Sequence, residues 1–198
     1  MYKVFVKNKP IIITDSEQKN KYPIYHFDQV SIAEIVYKLK NESIDGVWLY
    51  TLDVSSAWKQ FKKAFKLVKA AGGLVENSEG EILFIYRSGK WEFPKGKIEK
   101  GEKIKNAAIR EVEEESGVAN LTVIKFLMCT YHVFDVGTKL ILKKTSWYLM
   151  HTTYNQKLTP QTEEGITKAV FKNKRAIKNA LKNTYANIIM VYQEYQKK

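Results

Sequence analysis

Arg110 is followed by Glu-Val-Glu-Glu-Glu, so four carboxylates occupy the five positions 111–115. In a helix, at about 100° per residue, Glu111, Glu114 and Glu115 fall within an arc of roughly 100° while Glu113 points elsewhere. Three carboxylates on one face repel each other and raise each other's pKa unless something compensates. A bound divalent cation provides that compensation, and an oxygen-only ligand set suits Mg2+ or Mn2+ rather than zinc. Arg110 lies one turn before Glu114 and can steady a carboxylate through charge-assisted hydrogen bonds. Gly96 precedes the helix, where a residue without a side chain lets backbone approach an ion, so its carbonyl joins the candidate ligands. The loop-to-helix junction also suits a phosphate. The chemistry expected of such a site is metal-assisted hydrolysis. Taken alone, the six residues 110–115 favour an ordinary solvated glutamate face, paired with lysines one turn away.

The rest of the chain restricts the setting. A chain of 198 residues, 44% hydrophobic, holds one domain, or one domain and a small companion. No apolar run approaches the length a membrane span needs, and the first residues lack a secretory signal pattern. One cysteine, Cys129, rules out an internal disulfide and does not suggest a zinc site; together these features point to a cytoplasmic setting. The net charge of +12 favours anionic partners without choosing among nucleic acid, membrane surface and phosphate-rich small molecules.

Two regions are expected, 1–68 and 69–198. In the first, MYKVFV, PIIITD and residues 22–27 read as short strands. Ser31 and Glu34 form a capping-box pattern ahead of a helix with Ile32, Ile35, Val36 and Leu39 on one face. GVWLYTL reads as a buried strand. The next helix is capped by Ser55 or Ser56, is lined by Trp58, Phe61, Phe65 and Val68, and carries Lys59, Lys62, Lys63, Lys66 and Lys69. No catalytic constellation emerges here. From Ala70 onward, Gly73–Glu76 and Glu81–Arg87 flank the turn Asn77-Ser78-Glu79-Gly80 as a hairpin. A helix spans about 103–116, stopped by Gly117. Strands follow at 122–133 and 140–152, with 138–139 in the turn, and at 168–171 after a loop carrying Glu163 and Glu164. One helix over 174–195 closes the chain.

The wider spacing decides between the two readings of the glutamates. Gly96, Glu102, Arg110, Glu111, Glu114, Glu115 and Gly117, with Val112 and Val118 in the aliphatic slots, match G-x5-E-x7-R-E-U-x-E-E-x-G-U at every fixed position. Coincidence of that many letters is on the order of 10⁻⁸ per starting position. The segment resembles the signature of the Nudix hydrolases, and the resemblance covers roughly 69–198. It implies an α/β fold, an α/β/α sandwich around a mixed sheet, here preceded by a small α+β region. It also implies hydrolysis of a nucleoside diphosphate linked to another group. By position, Glu111, Glu114 and Glu115 resemble the metal ligands, joined by the Gly96 carbonyl. Arg110 resembles the arginine that orients them, and Glu102 the glutamate that supports the loop. The general base stays open between Glu111 and a distal glutamate, for which Glu163 and Glu164 are the candidates.

Flanking residues bear on the substrate. Trp91-Glu92-Phe93-Pro94-Lys95-Gly96-Lys97 is similar to the entry to the signature in diadenosine and diphosphoinositol polyphosphate hydrolases, and 143–149 to the strand that follows. Arg87, Lys95, Lys97 and Lys143 are therefore candidate polyphosphate contacts. Trp91 or Tyr148 could stack a base, but core or hinge packing is the better account of each. The expected substrate is a dinucleoside polyphosphate; nucleotide sugars, oxidised nucleotides and RNA 5′ ends remain alternatives, as does a non-catalytic nucleotide-binding regulator. Lys168, Lys172, Lys174, Arg175, Lys178 and Lys182, with no acidic residue among positions 168–182, suggest RNA binding, against which no recognised RNA-binding motif is found. Residues 1–68 pack on the catalytic region, form a homodimer interface or narrow the pocket; the sequence leaves these open.

Overall fold

The structure, a computed structural model, describes residues 1–16 and 21–197. Its chain forms two compact units, Met1–Val68 with Tyr131–Lys144, and Lys69–Thr130 with Thr145–Lys198. The expected division at residue 69 did not foresee that the hairpin tip 131–144 goes with the first unit.

In the first unit β1 (Tyr2–Val6) and β2 (Lys9–Thr14) form an antiparallel hairpin. Strand β4 (Val47–Tyr50) runs parallel to both β2 and β3 (Ile24–His26). On the other side of β1 lies the tip of a long hairpin, β9 (Leu121–Val136) and β10 (Lys139–Thr152), with Val4 opposite Tyr131 and Val6 opposite Val133. Val4, Ile11, Ile13, Val47 and Leu49 pack against Ile35, Val36 and Leu39 of α1 (Ile32–Asn41) and against Ala57, Trp58 and Phe61 of α2 (Val54–Lys63).

Three local expectations are corrected here. The Ser31 side chain makes no capping bond, and Glu34 instead pairs with Lys38 at 3.2 Å. The cap of α2 is Asp53, which accepts from the Ser56 amide at 2.9 Å; a carboxylate one turn earlier outcompetes the two serines. Helix α2 also ends at Lys63. Phe65 still stacks near Phe61, but from Lys66 the backbone becomes β5 (Lys66–Asn77), so Lys66, Val68 and Lys69 are strand residues.

The second unit has the strand order β11 (Ile166–Lys172), β6 (Ile82–Arg87), β5, β10, β9, with β7 (Lys90–Glu92) on β6 and β8 (Lys95–Lys97) on β5. Residues alternate between its two faces with period two. Val75, Leu83 and Met150 face Ala107, Ala108 and Val112 of α3 (Ile104–Ser116). Their neighbours Leu74, Phe84 and Leu149, with Trp147, face Ile177 of α4 (Lys174–Ala180) and Ile188 and Val191 of α5 (Ala186–Tyr195). This is the expected sandwich: helix on each face of one sheet.

The single closing helix expected over 174–195 is broken. Thr184 is extended (φ −139°, ψ 179°), and its hydroxyl donates to the Trp91 carbonyl. Asn183 accepts from Lys90 at 2.9 Å and donates to the Gly89 carbonyl at 2.8 Å. The Asn183 and Thr184 side chains thus tie the break to residues 89–91, and the extended backbone at Thr184 interrupts the helix. Among the described residues no helix is long and apolar enough to cross a membrane.

One buried polar pair tests this packing. The Trp147 indole N–H donates to the Thr130 hydroxyl at 2.8 Å, with Trp147 fully buried. Thr130→Val keeps the shape and strands the donor, so it should cost about 1–3 kcal/mol in urea unfolding. Unchanged stability would mean that the pair contributes nothing net.

Candidate active site

The site is built where the loop between β8 and α3 meets the polar edge of that helix. Ala107, Ala108 and Val112 bury one stripe of α3 against the sheet, which sets the angular position of the acidic residues. Gly117 ends the helix in the left-handed region (φ 71°), its amide donating to the Glu113 carbonyl at 2.8 Å.

Arg110 is the hub. Its Nε and Nη2 donate to the two oxygens of Glu102 at 2.9 and 3.0 Å, a bidentate pair. Nη2 also donates to the Lys97 carbonyl at 3.0 Å. Nη1 reaches Glu114 Oε2 at 2.8 Å and Glu111 Oε1 at 3.0 Å. Glu102 in turn accepts from the Glu99 amide at 3.0 Å. The hydrogen bond from Arg110, then that from Glu99, holds the Glu102 carboxyl below its ordinary pKa. One guanidinium therefore joins the loop to two glutamates of the helix.

Glu111 is buried, and its carboxylate lies directly on the Gly96 backbone. A Cβ added at Gly96 would sit 1.8 Å from Glu111 Oε2, so no larger residue fits without moving the carboxylate. Burial pushes Glu111 up in pKa; Arg110 opposes this, and the like charges of Glu114 and Glu164 add to it.

Glu115 is held differently. Its side chain is 1% exposed, its Oε2 accepts from the Lys95 amide at 2.8 Å and its Oε1 faces Arg87 Nη1 at 3.3 Å. Burial pushes it up to about 7, against the pull of Lys95 and Arg87. Arg87 Nη1 also contacts Glu164 Oε2 at 3.2 Å. The loop carrying Glu163 and Glu164 is stitched to the end of α3: the Thr159 amide donates to Ser116 O at 3.0 Å and the Gln161 amide to Glu115 O at 3.4 Å. Glu164 thus comes within electrostatic reach of Glu111, while Glu163 is an exposed residue of the same turn.

The expected cationic contacts separate. Arg87 joins the carboxylates, and Lys97 is exposed beside them on β8. The Lys95 ammonium is bound to Glu92 at 2.8 Å. Burial alone would push that ammonium down in pKa, but the Glu92 and Glu115 carboxylates outweigh it and hold it above its ordinary range. Lys95 is therefore the partly buried ion-pair partner of Glu92 rather than a surface cation. Lys143 belongs to the other unit, on the hairpin tip, its ammonium 5.2 Å from the centre of the Phe134 ring. Glu92 was missed in the sequence; a lone glutamate between Trp91 and Phe93, three residues from a lysine, was the available signal.

Among the described residues no three His, Cys, Asp or Glu side chains already form a closed metal cage. The donor set nevertheless fits a hard divalent cation. Glu111 and Glu114 converge on one guanidinium nitrogen, the backbone of Gly96 touches the first of them, and all the available donors are oxygens. Glu115 is turned instead to the Lys95 amide and Arg87.

A family model described as the NUDIX domain matches residues 66–190. The chain belongs to the Nudix family. The m7GpppN-mRNA hydrolase of Saccharomyces cerevisiae is 36% identical over 90 residues, 44% of this chain and 9% of that protein. The RNA pyrophosphohydrolase of Saccharophagus degradans is 29% identical over 96 residues, 42% of this chain and 56% of that one. These matches span less than two thirds of either relative. Among solved structures, the Ap4A hydrolase of Caenorhabditis elegans superposes with a TM-score of 0.50 at 24% identity, covering 66% of this chain and 96% of the other, a likeness of fold.

Arg110→Lys keeps a charge but loses the planar fork. It should destabilise the protein by about 1–3 kcal/mol and speed amide exchange at Glu99 and Glu102. Wild-type protection of both amides in the variant would show that the loop does not depend on the guanidinium.

Proposed function

We propose that the protein is a metal-dependent pyrophosphohydrolase that cleaves a phosphoanhydride in a nucleoside-linked polyphosphate, with a dinucleoside polyphosphate as the best-fitting substrate. The observation that carries this reading is the complete signature gathered on Arg110, with Glu111 lying on the Gly96 backbone.

Glu111, Glu114 and the Gly96 carbonyl would hold the cation, with Glu115 as the ligand recruited from Arg87. A Mg2+ or Mn2+ bound there neutralises phosphate charge and lowers the pKa of water. Arg110 keeps Glu111 and Glu114 in place throughout. Arg87 and Lys97 meet the phosphates. Water attacks one phosphorus of the anhydride, the bridging P–O bond breaks, and a carboxylate takes the proton from the water. Glu164 is the better-supported acceptor, because Arg87 tethers it beside Glu115. Glu111, paired with Arg110, is the other.

A second substrate reading, an RNA 5′ end, is favoured by the names of the yeast and Saccharophagus degradans relatives. Both substrates place a phosphoanhydride beside a nucleoside, so the same residues serve either. The alternative of a non-catalytic regulator has the intact signature against it.

The purified chain should be assayed with Mg2+ and with Mn2+ on diadenosine tetraphosphate, a nucleotide sugar, 5′-triphosphorylated RNA and capped RNA. Turnover of diadenosine tetraphosphate above the others supports the first reading, and turnover of the RNAs above it the second. Binding with no turnover of any would favour the regulator. Glu114→Gln should lower metal-dependent kcat by about 100-fold or more without changing the melting temperature. Full activity in that variant would remove the carboxylate site as the seat of the chemistry. Glu164→Gln should abolish the acidic limb of the pH–rate profile, whereas Glu163→Gln should leave it. The reverse result would move the proton acceptor to Glu163, and loss of the limb only in Glu111→Gln would move it into the helix.

A further inference from the structure

The alternation along β6 sends Arg87 to the carboxylates and its neighbour Tyr86 to the opposite face. On that face Tyr86 meets Trp91 of β7, with ring centres 4.8 Å apart. On the other side of β6, strand β11 sets Lys168 opposite Tyr86, with the ammonium 5.7 Å from the ring centre. The Lys172 ammonium lies 3.5 Å from the centre of the Trp91 ring. Two rings and two ammonium groups thus share one surface across three strands. Lys168 is exposed, and Tyr86, Trp91 and Lys172 are each partly exposed.

The segment that supplies the two lysines is short of counter-charge. No acidic residue occurs from Lys168 to Lys182. Burial, and then the charge of Lys168, holds the Lys172 ammonium below its ordinary pKa. Two lysines sharing a face without a carboxylate between them are relieved by an arriving anion.

We infer that Tyr86, Trp91, Lys168 and Lys172 form a docking strip for single-stranded RNA, a binding site separate from the carboxylate cluster. A single strand presents phosphates and unstacked bases in alternation, which calls for cations and aromatic faces side by side. A duplex hides its base faces, and a lipid surface has none. The position also fits. Tyr86 adjoins Arg87, which contacts Glu115 and Glu164, and β11 is the terminal strand of this unit's order, so a strand leaving the carboxylates crosses that edge onto Tyr86 and Lys168. The choice of RNA rests on the second substrate reading above; the strip itself rests on the geometry of these four residues.

The test is fluorescence anisotropy of the full chain with a labelled 5′-hydroxyl RNA of about 12 nucleotides, in chelator. Such an RNA has no phosphoanhydride, so the result does not depend on catalysis. The wild type should bind, and Lys168→Gln/Lys172→Gln should weaken binding about 10-fold. That pair should also flatten the plot of log affinity against log salt by about 1.4, near 0.7 per lost phosphate contact. Tyr86→Leu should weaken binding at least about 5-fold through lost stacking, with an unchanged circular dichroism spectrum and melting temperature. The charge-matched control Lys59→Gln/Lys63→Gln should bind as wild type. Absence of wild-type binding, an equal loss in the control, or equal competition by duplex DNA or by phosphatidylserine vesicles would overturn the strip. RNA binding lost in the strip variants, with no turnover of RNA 5′ ends by the wild type, would support the strip and sink the RNA-end reading alone. Efficient turnover of those ends with KM unchanged in Lys168→Gln/Lys172→Gln would leave that reading standing and sink the strip.

Discussion

The contact on which the site depends is the Arg110 guanidinium, shared among Glu102, Glu111, Glu114 and the Lys97 carbonyl. Only a planar fork with several fixed donors can join a loop backbone, a loop carboxylate and two helical carboxylates at once. Without it, Glu111 and Glu114 would face each other with no cation between them, and nothing would tie the loop to α3. The neighbouring constraints follow from it. Glu111, drawn toward Arg110, lies against residue 96, where any side chain would displace its carboxylate. Glu115, one helical turn from Glu111, is left to Lys95 and Arg87, and Arg87 then reaches Glu164.

The sheet beneath gives this arrangement its rigidity. Period-two alternation puts one set of residues against α3 and the next against α4 and α5, so each strand supports both faces. The same alternation divides the charged residues. On β6 and β7, Arg87 and Glu92 belong to the network that holds Glu115, and Tyr86 and Trp91 to the opposite surface with Lys168 and Lys172. The proposed site for anhydride chemistry and the proposed strip for a single strand thus grow from adjacent residues of the same strands.

What could be read from the sequence divides by range. The loop–helix site was legible because its spacing is local: Gly96 to Gly117 covers one loop and one helix, and a pattern within that span survives any surrounding fold. The two-faced sheet was legible only through the resemblance that the signature carries, and Gly117 from its place after the last periodic residue. Contacts between distant parts of the chain were not. That Arg87 bridges Glu115 and Glu164 depends on β6, α3 and the 159–165 loop meeting in space. Lys95 read as a phosphate contact because residues 91–97 are similar to the entry to the signature in polyphosphate hydrolases; its ion pair with Glu92 is a property of the folded strands. The break at Thr184 had the same origin, since helical periodicity carries no record of the hydrogen bonds offered by a turn some ninety residues earlier. Asp53 displaced the expected serine caps for a more local reason, a choice among adjacent polar residues that pattern alone does not resolve.

The central claim is that Glu111 and Glu114, held by Arg110 against Gly96, form an oxygen-ligated cation site. Electron paramagnetic resonance titration of the full chain with Mn2+ measures this directly, without reference to any substrate. The wild type should bind Mn2+ in a saturable way, and Glu111→Gln/Glu114→Gln should lose at least about 10-fold in affinity while melting at the wild-type temperature or above. Mn2+ bound equally well by the double variant would contradict the account and place the cation elsewhere.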